Sequence, residues 1–147
     1  MNLGESMSFR EKKAWVTIFA LLAVFLPYYI YMVSVYHQPD PNIRYLMNLA
    51  AIAIVTFVVL ECVLLMVARR LSPEDAGIPK DERDQLFAYR ASRIAYVSLI
   101  VMVIAVTFPM IHLHAGNWGF GMLYLAAIMF SEILRATVLI RQYRRGY

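Results

Sequence analysis

Three ionisable residues lie inside stretches that are otherwise apolar: Glu61, Glu132 and Arg135. A charge in hydrocarbon is costly unless it is paired, hydrated or neutralised by a proton. Such residues therefore mark either internal ion pairs or a path for protons or cations. Glu132 and Arg135 stand three apart, which on a helix gives them one face and mutual reach. Arg135 is also close enough to the basic residues after it to extend its guanidinium toward the interface. Glu61 has no comparable neighbour, because the helical neighbours on its own segment are Phe57, Val58, Leu64 and Leu65. Its partner is expected on another helix, with Arg93 or Arg135 as the cationic choices, or else it holds a proton. Counted along its own segment, Glu61 lies about 12 Å from Arg69 at ~1.5 Å per residue, near mid-bilayer. If it pairs with a cation it locks helices together; if it exchanges protons, with Glu132, it is a transport element.

Other chemistry is sparse. His37, His112 and His114 fall in or beside the two short loops and read as interfacial histidines, with a surface metal site from His112, His114 and Asp40 as the weaker reading. No two face each other within helices, as haem ligation across helices would need. The chain has no phosphate-binding glycine loop, nucleophile elbow or zinc-protease motif. Cys62 stands alone, so internal disulfide chemistry is excluded. The expectation is a protein that is not an enzyme and needs no cofactor or metal.

The elements that must position these residues are set by composition. Of 147 residues, 61% are hydrophobic and only 16% charged, against roughly a quarter charged in soluble domains. Four uncharged or nearly uncharged runs, about 14–35, 46–67, 94–111 and 118–140, approach or exceed the ~20 helical residues that cross a bilayer. None shows the recurring polar face of a soluble amphipathic helix. The predicted fold is all-α: one domain over 1–147, an integral membrane bundle of four transmembrane helices in two antiparallel hairpins. The first run is too long for a cleavable signal core and is read as a retained span.

Basic residues border the spans asymmetrically. Twelve of them flank the first helix, fill the linker 68–93 or follow the fourth helix, whereas the two short loops hold only Arg44. By the positive-inside rule, both termini and the linker are cytoplasmic. The net charge of +4 is thus a membrane signature, and no direct nucleic-acid binding is expected.

Along the chain, residues 1–10 read as a tail or interfacial turn. Pro27 predicts a kink in helix one, with its freed carbonyl satisfied by a neighbour. Tyr28, Tyr29, Tyr31 and Tyr36 read as an outer aromatic belt that also packs, or alternatively as the lining of an outward pocket. Ala50, Ala51 and Ala53 on helix two, and Ala127 with Ser131 on helix four, suit close helix approach, and Asn48 suits an interhelical hydrogen bond. In the linker, Pro79 fits a first helical turn, and Asp81, Glu82 and Asp84 suit a helix N-terminus. Helix three is therefore expected to start in the cytoplasm and project about three turns beyond the membrane. There Leu86, Phe87 and Arg90 would share a docking face. The basic end, Arg141 to Arg145, is expected against anionic headgroups. Each half also carries a proline in its first helix and a glutamate in its second, with an arginine eight or nine residues later, a pattern that suggests a duplicated hairpin.

The run Asp81-Glu82-Arg83-Asp84, then Phe87 and Arg90-Ala91-Ser92, resembles that of small prokaryotic four-span membrane proteins classed as families of unknown function. Ser8-Phe9-Arg10-Glu11-Lys12 before helix one extends the likeness over most of the chain. The resemblance implies a bacterial inner-membrane protein and, since some such genes neighbour a helix-turn-helix regulator, a role in membrane-linked regulation. The likeness to small multidrug carriers is weaker, because their membrane glutamate lies in the first helix. The expected function is non-catalytic: regulatory or partner-binding, through Asp81, Glu82, Arg83, Asp84 and Arg90 of the linker. Its expected partners are the lipid bilayer, a membrane or cytoplasmic regulatory protein, and a second copy of the chain. The alternative is a small proton- or cation-coupled transporter using Glu61 and Glu132.

Overall fold

A computed structural model of the chain describes residues 8–36, 42–71, 73, 81–112 and 117–145. Four helices account for nearly all of them: α1 (Phe9–Tyr36), α2 (Ile43–Leu71), α3 (Glu82–His112) and α4 (Asn117–Arg145). There is no strand among the described residues. All four helices are long and apolar enough to span a membrane. Each has 28 to 31 residues, or more than 40 Å at ~1.5 Å per residue, which exceeds a hydrocarbon core of about 30 Å. The helices therefore run beyond their apolar cores.

The extensions have local causes in the sequence. Helix α1 begins at Phe9, ahead of the apolar run that starts near Ala14, because Ser8 caps it. The Ser8 hydroxyl accepts the Glu11 N–H at 3.2 Å, and its carbonyl accepts the Lys12 N–H at 3.0 Å. Ser8-x-x-Glu11 has the spacing of a capping box, a helix-start signal present in the sequence. Asn42 does the same for α2, its side-chain oxygen accepting from Tyr45 N–H at 3.1 Å. Within the segment 68–93, α2 runs to Leu71 and α3 starts at Glu82. The expected helical continuation from the polar segment into the third apolar run is present. Pro79, expected in its first turn, lies outside the described residues. The basic end of α4 is helical to Arg145.

Two compact units divide the chain, 1–78 and 79–147, and each is a helical hairpin. In the first, α1 buries Ala14, Thr17, Leu21, Phe25, Tyr28, Met32 and Val35, a three-to-four spacing that makes one continuous seam. From α2, Leu46 and Ala53 are buried, and Phe57 meets Phe25 with ring centroids 5.8 Å apart. Of the expected small residues, Ala53 is buried while Ala51 is exposed. Asn48 is exposed and makes no hydrogen bond among the described residues.

The second hairpin is built on small side chains. Ala91 and Ala95 of α3 and Ala127, Ser131 and Ala136 of α4 are all buried. Ser131 Oγ donates to the Ala95 carbonyl at 2.8 Å, a contact that only closely approaching backbones allow. Two further contacts fix the same register. Thr107 and Tyr124 hydroxyls lie 2.9 Å apart toward one end, and Tyr143 OH donates to Asp84 Oδ1 at 3.0 Å toward the other.

Candidate functional sites

Glu61 finds its partner on another helix, as its neighbours require, but the partner is a hydroxyl. Thr17 Oγ1 of α1 lies 2.6 Å from Glu61 Oε1 and 3.3 Å from the Lys13 carbonyl. Thr17 is buried and Glu61 partly so. A hydroxyl has a single proton, so it serves one of these acceptors at a time. If Glu61 is ionised, Thr17 donates to it, and the short distance suits a charge-assisted bond. If Glu61 is protonated, the carboxyl donates to Thr17 and Thr17 donates to Lys13. The pair thus accommodates either protonation state by turning one hydroxyl.

The register also sets Glu61 against the cations of the facing helix. Measured along α2, the nearest cation is Arg69, about 12 Å away. Across the hairpin, Glu61 stands level with Thr17, one turn or about 6 Å along the axis from Lys13. Lys13 itself is exposed. Glu61 therefore sits nearer the basic end of the hairpin than its own helix implies.

Glu132 and Arg135 do pair within α4. Arg135 Nε and Nη2 both donate to Glu132 Oε2, at 2.8 and 2.7 Å. The two side chains are 40% and 38% exposed. In water such a pair contributes little, but in a span it removes two naked charges at once. Glu132 is thereby committed locally, and Glu61 makes no ion pair among the described residues.

The polar turn of α3 divides the predicted docking residues. Asp81 caps the helix: its carbonyl accepts from Asp84 N–H at 3.0 Å and its Oδ1 from Glu82 N–H at 2.7 Å. Asp84 reaches back, Oδ2 accepting from Asp81 N–H at 2.9 Å, while its other oxygen takes Tyr143 OH. Phe87, expected on the outward face, is turned inward instead. It is buried and packs edge-on against Tyr143, centroids 5.5 Å apart at 85°. Arg83 lies over the Phe87 ring at 5.8 Å, within cation–π reach. Asp84, Phe87 and Arg83 therefore build the end of the hairpin. Asp81, Glu82 and Arg90 are exposed, beside Leu86 at 54% and Tyr89 at 65%.

The tyrosines also separate. Tyr28 is in the core, and Tyr31 meets Tyr45 edge-on at 6.5 Å. Next to them a groove of about 430 Å³ opens between α1 and α2, and of the four tyrosines only Tyr28 and Tyr31 line it, with Tyr45. His112 Nδ1 bonds the Phe108 carbonyl of its own helix at 2.9 Å. Asp40, His37 and His114 lie outside the described residues.

Thr17, Tyr143 and the Ala91–Ala95 pair enter these contacts without a predicted role. Thr17 was findable, being a polar residue on the Ala14–Leu21–Phe25 stripe. Ala91 and Ala95, four apart like Ala127 and Ser131, carry the same small-residue signal, whereas Tyr143 carries none. No family model, curated protein or solved structure matches the chain.

Proposed function

We propose that the protein is a non-catalytic, multi-pass protein of a bacterial inner membrane that presents the polar end of its second hairpin to a regulatory partner protein. Both termini and the segment between the hairpins face the cytoplasm in this reading, as the twelve-to-one distribution of basic residues favours. The observation that carries the proposal is the clamp of Asp84 and Phe87 on Tyr143. It holds a polar extension of α3 in one arrangement and leaves Glu82, Leu86, Tyr89 and Arg90 on the exposed surface. Exposed aromatic and arginine side chains on a rigid element are what protein interfaces use as anchors. The test is affinity purification of the full chain from native membranes with Leu86→Asp and Arg90→Glu. Loss of one reproducible partner, with the protein still inserted and folded, is the expected result. An unchanged partner set for both variants would remove the proposal.

A second reading is favoured by the Glu61–Thr17 pair. A membrane carboxyl bonded to a hydroxyl rather than a cation is free to exchange a proton or bind a cation, so Glu61 would carry coupling. The Glu132–Arg135 pair argues against Glu132 sharing that role. In proteoliposomes under an imposed pH gradient, Glu61→Gln should abolish any proton flux that the native protein supports, and flux at the native rate would dismiss this reading.

A further inference from the structure

The groove of the first hairpin combines features that packing alone does not account for. Its volume, about 430 Å³, lies within the range of small-molecule sites, and its walls are mostly apolar with a few polar groups. Ala23 and Pro27 of α1 both line it. Proline has no N–H, so the carbonyl four residues earlier, that of Ala23, lacks its helical donor. Inside a span no water is at hand to replace that donor, and an unpaired carbonyl there is costly. The hydroxyl of Thr56, in the same lining, has no hydrogen bond among the described residues. Toward the loop end the lining closes with Tyr31 and Tyr45, whose rings are 6.5 Å apart.

We infer that this groove binds a neutral membrane lipid bearing a hydroxyl, which donates to the Ala23 carbonyl while the hydrocarbon lies against Ala53 and the neighbouring apolar wall. The freed carbonyl demands a donor, and no hydroxyl of the lining is hydrogen-bonded to it among the described residues. The lining has no side chain that is charged at neutral pH, so a charged headgroup would be unpaired at that depth. The surrounding medium supplies hydrocarbon, and the hydroxyl supplies selectivity.

The experiment uses the full chain in phosphatidylcholine vesicles containing a trace of diacylglycerol with a photoreactive group in one chain. The comparison probe is the same molecule with its hydroxyl acetylated. Crosslinks are expected within 23–31 and 45–56, with the acetylated probe labelling about fivefold less, the ratio one neutral hydrogen bond supports. Pro27→Ala restores the N–H and should abolish the preference for the free hydroxyl while chain labelling persists. Ala53→Phe fills the groove and should remove labelling there, with helical content and monodispersity retained as a check on folding. Equal labelling by the two probes, labelling unaffected by Ala53→Phe, or no label in either segment because another part of the protein covers the groove, would each overturn the inference.

Discussion

Thr17 is a single hydroxyl proton between two acceptors, and that makes it a sensitive residue in the first hairpin. Replacing it with valine keeps the shape but leaves the Glu61 carboxyl facing a methyl group. An unsatisfied group of this kind costs about 1–3 kcal/mol. Thr17→Val should therefore lower thermal stability in detergent clearly, whereas Thr17→Ser should stay close to the native value. If the two substitutions destabilise equally, the effect belongs to packing and the hydrogen bond contributes nothing. Ser131 has the same chemistry with a different geometry. Its acceptor is a backbone carbonyl of the facing helix, so it measures how closely α3 and α4 approach rather than any charge.

At the scale of the element, the start of α3 does two tasks with one side chain. Asp84 closes the cap with Asp81 and anchors the end of α4 through Tyr143. Asp84→Ala should thus cost more than Tyr143→Phe, which leaves the cap intact. Typical magnitudes are about 1–2 kcal/mol for a cap and about 1 kcal/mol for a hydrogen bond. The double variant should cost less than the sum of the singles, because the two residues share a contact. Amide exchange at Asp84 and Gln85, whose N–H groups bond the Asp81 carbonyl, reports the cap separately. Strict additivity would mean that the cap and the Tyr143 contact are energetically independent.

For the whole molecule, both hairpins open alike. Ser8-x-x-Glu11 and Asp81-x-x-Asp84 each pair a cap with an acid three residues on, each has an arginine between them, and both acids are buried. This adds a structural parallel to the proline and glutamate positions shared by the two halves. Membrane orientation is a separate question, on which the basic residues favour a cytoplasmic start for both hairpins. Reporters fused after Arg145 or within 74–80 should read cytoplasmic, and one within the loop 37–41 should read the opposite side. A reporter after Arg145 on the far side would reverse the assignment of the polar surface.

Composition and run length alone determined that the chain forms four long apolar helices, because burying backbone polar groups in hydrocarbon admits few other solutions. Spacing of three determined the Glu132–Arg135 pair, and the acidic turn foretold the continuation of α3, since both depend only on contacts along one helix. Which residue meets Glu61, which way Phe87 turns, and that Ala23 and Thr56 share a groove were decided by the tertiary structure. Each depends on the register between two helices, and shifting one helix by a single residue rotates its faces by about 100° at 3.6 residues per turn. The sequence of one helix carries no record of that angle; the packing of its partner sets it.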